Sequence, residues 1–151
     1  MTRVLRVLGV GNPILTDDGV GWEIVEEIRR LRPALDAVTV CAGAMGVFDY
    51  IVDCERVVLI DSIKSGTVAP GTVLRLSLED LTPSLDQPTS HGMDIASACR
   101  IGEALGYRMP RQISIYALEI ADNTTIGEGC TPAVAARIPD VAKEIIAEEA
   151  L

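Results

Sequence analysis

The chain of 151 residues has 22 acidic side chains against 13 of Lys and Arg, so its net charge is -9 at pH 7. This charge argues against nucleic acid or an anionic membrane as a partner. The length predicts one domain, residues 1–151, with room for a substantial core. Hydrophobic residues make up 48% of the chain and aromatic residues only 3%, which favours a core of Val, Ile, Leu and Ala. Such a core is typical of a buried parallel sheet covered by helices.

The four cysteines indicate a reducing compartment. Cys41, Cys54, Cys99 and Cys130 form no Cys-x-x-Cys pair, so we interpret all four as reduced thiols buried as small apolar residues. In addition, no apolar run approaches the ~18 residues that span a bilayer. We therefore expect a cytoplasmic protein that does not bind membranes.

Predicted strands and helices alternate along the chain. The strands are predicted at 4–10, 37–41, 56–61, 72–77 and 113–120, the fourth at an edge of the sheet because apolar and polar residues alternate in it. The helices are predicted at 19–31, 47–52 and 93–105, and from Thr131, as N-cap, with a kink or restart at Pro139. This alternation predicts a three-layer α/β fold, in which helices cover both faces of a mainly parallel twisted sheet of about five strands.

The first loop contains two adjacent carboxylates, Asp17 and Asp18, between the first strand and the first helix. In an open α/β sheet this is the rim where ligands bind. We expect one carboxylate to cap the helix and the other to be available for a ligand. The preceding Gly9-Val10-Gly11 resembles the start of a dinucleotide fingerprint, but Ile14 replaces the third glycine and Pro13 lacks an N–H group. A nucleotide-binding oxidoreductase is therefore disfavoured.

Two further residues are candidates for the same rim. Asp61 ends an apolar strand, where a carboxylate must be solvated, paired or bound to a cation. His91 is the only histidine, and a surface or packed role is its alternative. Carboxylate and imidazole ligands together suit Zn, Ni or related ions, and three protein ligands with an open position are typical of a reactive metal site.

These segments resemble the NiFe-hydrogenase maturation endopeptidases over nearly the whole chain. The resemblance rests on Gly9-Val10-Gly11-Asn12, Thr16-Asp17-Asp18-Gly19-Val20-Gly21, the strand ending in Asp61, Ser90-His91-Gly92 and Gly129-Cys130-Thr131-Pro132-Ala133-Val134. It implies an endopeptidase that removes the C-terminal extension of a NiFe-hydrogenase large-subunit precursor after nickel insertion. That precursor is the expected partner, and we expect the protease itself to be a monomer.

The resemblance also implies which residues act. Asp18, Asp61 and His91 are the expected catalytic and metal-binding residues, and the nickel they recognise is carried by the precursor. Other divalent ions such as Zn or Cd can occupy such a site in vitro. Our hypothesis is that the metal polarises the scissile carbonyl or lowers the pKa of an attacking water. Either Asp17 or one of the ligand Asp residues then serves as the base.

Four residues are predicted to line the substrate cleft: Asn12, Asp17, Gly43 and Gly46. Many family members have Asp-Gly-Gly-Thr-x-Gly after the second strand, whereas this chain has Cys41-Ala42-Gly43-Ala44-Met45-Gly46. This difference bears on which hydrogenase is processed. A nickel-binding chaperone that inspects the precursor without cutting it uses the same three ligands and is the alternative function.

Overall fold

The computed structural model describes residues 3–41, 44–78 and 95–151, and five strands within them form one sheet. The strands are β1 (Arg3–Val10), β2 (Ala37–Val40), β3 (Cys54–Ile63), β4 (Val73–Leu76) and β5 (Gln112–Glu119). Their order is β2-β1-β3-β5-β4. Strand β4 is antiparallel to β5 at one edge, and the other pairs are parallel. The mainly parallel sheet with an edge strand near residues 72–77 is thus confirmed.

Helices cover both faces of this sheet. They are α1 (Val20–Leu31), α2 (Ala44–Ile51), α3 (Ile95–Ala104), α4 (Pro132–Ala135) and α5 (Ile138–Glu149). Helices α1 and α5 pack on the face that includes Val58 and Ile60, whereas α2 and α3 pack on the face that includes Leu59. The middle parts of the central strands are mostly apolar because both of their faces are buried. The three-layer α/β fold is confirmed, as is the helix restart near Pro139.

Several boundaries differ from the sequence-based predictions, and those near the first loop and the candidate site matter most. Strand β3 continues two residues past Asp61 because β5 pairs with it as far as Ile63, so Asp61 lies inside the strand. A 3-10 turn at Thr16–Gly19 precedes α1. Helix α2 starts at Ala44, three residues before the predicted start at residue 47, so Gly46 lies inside the helix. The predicted start of the third helix, at residue 93, lies outside the described residues. In the described part of the chain, no helix is both long and apolar enough to cross a membrane.

Candidate active site

Glycines in the first loop allow it to pack tightly at the carboxyl-terminal edge of the sheet. A Cβ atom on Gly11 would lie 2.1 Å from the carbonyl oxygen of Asp18. A Cβ atom on Gly21, in the first turn of α1, would lie 2.6 Å from the carbonyl oxygen of Ile60 in β3. Both positions exclude any side chain. The glycine pattern therefore has a packing role, in agreement with the argument against a phosphate-binding loop.

The 3-10 turn of this loop begins in a strained conformation. Thr16 has φ 51°, a value that costs a β-branched residue about 1–3 kcal/mol. The loop at 121–131 holds it there: the Thr16 N–H donates to the carbonyl oxygen of Gly127 at 3.1 Å and its hydroxyl donates to that of Thr125. The adjacent Asp17 N–H donates to the carbonyl oxygen of Asp122 at 2.9 Å. The two loops thus fix the backbone that carries both carboxylates.

Asp17 is fully buried, and its carboxylate joins these two loops. Its Oδ2 accepts the N–H groups of Ala121 and Asp122, each at 3.0 Å, and its Oδ1 accepts that of Thr131 at 2.7 Å. The Thr131 hydroxyl donates to the same carboxylate. Because the side chain is fully buried, its placement favours a structural role over contact with a substrate.

The predicted capping of the first helix by Asp17 or Asp18 is wrong, whereas Thr131 does occupy the predicted N-cap position. Neither the 3-10 turn nor α1 has a side-chain cap, because Asp17 and Asp18 accept hydrogen bonds from distant segments instead. Thr131 occupies the N-cap position of α4 in an extended conformation, but it makes no capping hydrogen bond. Its hydroxyl donates to Asp17, so a long-range partner has replaced the local one.

Asp18 points toward the carboxyl-terminal end of β3 and is 6% exposed. Its Oδ1 accepts the hydroxyl of Ser62 at 2.9 Å, and its Oδ2 accepts the backbone N–H of Asn12 at 3.0 Å. Both donors are neutral. Among the residues that the structure describes, no Lys or Arg side chain forms an ion pair with Asp17 or Asp18.

Asp61 is 2% exposed and meets the same serine from the strand side. Its Oδ1 accepts the backbone N–H of Ser62 at 2.7 Å. Ser62 therefore donates to Asp18 through its side chain and to Asp61 through its main chain. In this way the structure brings two of the three predicted metal ligands to one hydrogen-bonded cluster at the carboxyl-terminal edge of the central strand.

The remaining predicted site residues have varied positions. His91 and Gly43 lie outside the described residues, and their roles stay predictions. Asn12 is half-buried, and its side-chain Oδ1 accepts the N–H of Ile14 at 3.2 Å; Gly46 lies in the first turns of α2. No group of three His, Cys, Asp or Glu that could hold a metal ion occurs within residues 3–41, 44–78 and 95–151. Asp18 and Asp61 supply two carboxylate donors, which suit a divalent ion.

The four cysteines are free thiols. Cys54 and Cys99 are buried as predicted and Cys130 is half-buried, whereas the prediction is wrong for Cys41, which is exposed just beyond the end of β2. Burial raises the pKa of the Cys54 and Cys99 thiols. Burial, together with neighbouring carboxylates, raises the pKa of Cys130 strongly. A raised pKa keeps a thiol protonated and therefore disfavours these three residues as nucleophiles.

Sequence reasoning missed two residues of this region. Ser62 follows Asp61 directly after the apolar run at 57–60, and a second polar residue at this point of the strand is the available signal. For Thr131, the Thr-Pro pattern predicts only an N-cap. A local pattern of this kind carries no information about a carboxylate more than a hundred residues away, so the Asp17 contact had no signal in the sequence.

Comparisons with known proteins agree with this fold. A family model described as hydrogenase maturation protease matches residues 22–148, which include Asp61 and His91. The hydrogenase 2 maturation protease of Escherichia coli K12 is 30% identical over 154 residues, covering 96% of this chain and 89% of that protein. The hydrogenase expression/formation protein HupD of Bradyrhizobium diazoefficiens is 29% identical over 155 residues, covering 97% and 79%.

Solved structures share the fold. The hydrogenase maturating endopeptidase HybD from Escherichia coli superposes with a TM-score of 0.76 at 24% identity, covering 96% of this chain and 91% of that one. The [NiFe] hydrogenase maturation protease HybD from Thermococcus kodakarensis superposes with a TM-score of 0.73 at 20% identity, covering 97% and 98%. Given the family match and the Escherichia coli relative, this chain belongs to the hydrogenase maturation protease family, a family of peptidases.

Proposed function

We propose that the chain is an endopeptidase that removes the C-terminal extension of a NiFe-hydrogenase large-subunit precursor after nickel insertion. Asp18, Asp61 and His91 recognise the nickel, which arrives as part of the substrate. The observation that carries this proposal is the pair of buried carboxylates, Asp18 and Asp61, joined through Ser62 at the ligand-binding edge of the sheet. The enzyme acts as a cytoplasmic monomer that binds its precursor transiently.

The electrostatics of Asp18 support recognition of a cation. A buried carboxylate is costly unless it is paired, hydrogen-bonded or bound to a metal. Among the described residues, the donors to Asp18 are a hydroxyl and a backbone amide, and neither adds positive charge. An incoming divalent ion would add the attraction that these neutral donors do not supply. The donor set therefore fits a site that binds metal when the precursor docks.

The burial of Asp17 restricts the choice of general base. Its two oxygens accept hydrogen bonds from three backbone N–H groups and the Thr131 hydroxyl, and its side chain is fully buried, so it has less acceptor capacity left than Asp18. We therefore assign the base to Asp18 or Asp61. Nickel on the precursor would polarise the scissile carbonyl or the attacking water, while the base accepts the proton that the water loses. The scissile C–N bond breaks, the water oxygen becomes part of the new C-terminal carboxylate, and the base returns the proton to the amine of the released peptide.

The test is cleavage of a purified nickel-loaded precursor, followed by mass spectrometry. We expect loss of a C-terminal peptide with the wild-type chain, and an uncut precursor with His91→Ala or with nickel-free precursor. Cleavage of the nickel-free precursor would contradict nickel recognition. A precursor that binds the wild-type chain but stays intact would instead support the chaperone function.

A further inference from the structure

Ser62 is the residue through which the two described site carboxylates are connected. It is 6% exposed and lies in β3, where its backbone is held in the ladder opposite Leu118 of β5. Its hydroxyl donates to Asp18 at 2.9 Å and its N–H donates to Asp61 at 2.7 Å. A single strand residue thus contacts carboxylates that come from two different segments of the chain.

These hydrogen bonds orient Asp18 without consuming its ability to bind a cation. The Asn12 N–H holds one oxygen and the Ser62 hydroxyl holds the other, so the carboxylate has a donor on each side. A carboxylate oxygen can accept more than one partner, and metal-binding carboxylates are commonly oriented in this way by hydrogen bonds from outside the ligand set. Asp18 belongs to the 3-10 turn, whereas the Ser62 hydroxyl that orients its carboxylate belongs to the rigid strand β3.

We propose that Ser62 is a positioning residue, which sets the relative placement of Asp18 and Asp61 for nickel recognition. The proposal rests on the proposed function of the same site. It makes a claim about the hydroxyl in particular, because the Ser62 N–H bond to Asp61 is retained by any residue other than proline. Loss of the hydroxyl therefore changes the orientation of the Asp18 carboxylate, while the backbone hydrogen bonds between β3 and β5 remain.

The chain contains a matched control for this substitution. Ser114 is also a buried strand serine, 5% exposed, and its hydroxyl donates to the buried carboxylate of Glu149 at 2.8 Å. That bond lies toward the amino-terminal edge of the sheet, and Glu149 is also bound by Arg56. Ser114→Ala thus deletes the same kind of hydrogen bond far from the candidate site.

The experiment compares Ser62→Ala, Ser62→Thr and Ser114→Ala with the wild-type chain. Affinity for Cd²⁺ is measured by titration calorimetry, and kcat and KM are measured on the nickel-loaded precursor. We expect Ser62→Ala to weaken Cd²⁺ binding and to lower kcat/KM, each by about 10-fold or more. Ser62→Thr, which keeps a hydroxyl, should restore most of both. Ser114→Ala should lower the unfolding midpoint but leave Cd²⁺ affinity and kcat/KM unchanged.

Several outcomes would overturn the proposal. If Ser62→Ala matches the wild type in Cd²⁺ affinity and cleavage, the hydroxyl has no positioning role, although cleavage by the wild type would still support the proposed function. If Ser62→Thr is as impaired as Ser62→Ala, the loss does not come from the hydroxyl. Should Ser62→Ala fail to fold, Ser62→Cys keeps the volume with a weak donor and must show the same loss. A wild-type chain that does not cleave would contradict the proposed function itself.

Discussion

Buried carboxylates lie at opposite edges of the sheet, and their surroundings differ in charge. Toward the amino-terminal edge, Glu149 accepts hydrogen bonds from Arg56 at 2.8 Å, Tyr116 at 2.6 Å and Ser114 at 2.8 Å. At the carboxyl-terminal edge, Asp18 accepts a hydroxyl and an amide hydrogen bond. Both carboxylates have well-placed donors, but only Glu149 has an arginine among the donors described.

This difference in donors distinguishes a carboxylate that stabilises the fold from one that is available to bind a ligand. Burial by itself would raise the pKa of Glu149, but the hydrogen bonds from Tyr116, Arg56 and Ser114 outweigh it and lower that pKa. The negative charge of Glu149 is therefore balanced within the fold by the Arg56 guanidinium. It is not available to attract a ligand. The charge of Asp18 is solvated by neutral groups and can still attract a cation. In parallel α/β sheets the carboxyl-terminal edge is the one that binds ligands, and the two carboxylate groups follow this division.

The largest expected effect comes from Asp61→Asn. The amide has the same shape and its oxygen can still accept the Ser62 N–H, so the free energy of unfolding should change by no more than about 1 kcal/mol. Cleavage should fall by about 100-fold or more, because the charge that binds metal or accepts a proton is lost. Precursor processing and urea unfolding measure the two effects. Unchanged cleavage would show that the carboxyl-terminal edge is not the site.

Glu149→Gln should produce the opposite result. Removing the charge leaves Arg56 without its buried partner, which should lower the free energy of unfolding by about 3 kcal/mol. Cleavage at a temperature where the variant is folded should equal that of the wild type. Urea unfolding and precursor processing are again the measurements. A variant that is stable but inactive would refute the assignment of a purely structural role to this edge.

Asp17→Asn tests the structural carboxylate that lies beside Asp18. An amide offers one oxygen in place of two and turns an NH₂ group toward backbone N–H donors, so we expect the free energy of unfolding to fall by about 2 kcal/mol. The control is Asp122→Asn in the same loop, where the oxygen that accepts from Thr124 and Thr125 is retained. Urea unfolding of both variants measures the two free energies of unfolding. Equal stability of the two would contradict the role assigned to Asp17.

The smallest expected effect is the pH dependence of the stabilisation that Glu149 contributes. The pKa of Glu149 is lowered on folding from its ordinary value of 4.5, so its charge stabilises the folded state above that pH. This stabilisation is lost as the pH falls through 4.5 toward the lowered folded pKa. The stability difference between wild type and Glu149→Gln should thus be constant near pH 7 and shrink below about pH 4.5. Urea midpoints measured from pH 7 to pH 3 test this, and a difference that grows in acid would contradict it.

Much of the fold was predictable because it depends on local patterns. The apolar runs around Val7 and Val58 are long. The alternation of apolar and polar residues at 72–77 is characteristic of a strand with one solvent-exposed face. Boundaries were less predictable, since β3 continues past Asp61 only because β5 offers it partners. Of the predicted site, Asp18 and Asp61 come together in the structure, whereas Ser62, which links them, was not among the candidates.

The sequence by itself determined the α/β class, the position of the first loop at the ligand-binding rim, and the family resemblance carried by its motifs. These features depend on residue periodicity and on residues close together in the chain. Only the tertiary structure decided the roles of the adjacent Asp17 and Asp18, which have identical side chains and nearly identical local surroundings. Asp17 accepts hydrogen bonds from the loop at 121–131, and Asp18 is oriented by a hydrogen bond from the Ser62 hydroxyl. Both sets of partners are distant in sequence, so packing alone assigns one carboxylate to structure and the other to the candidate site.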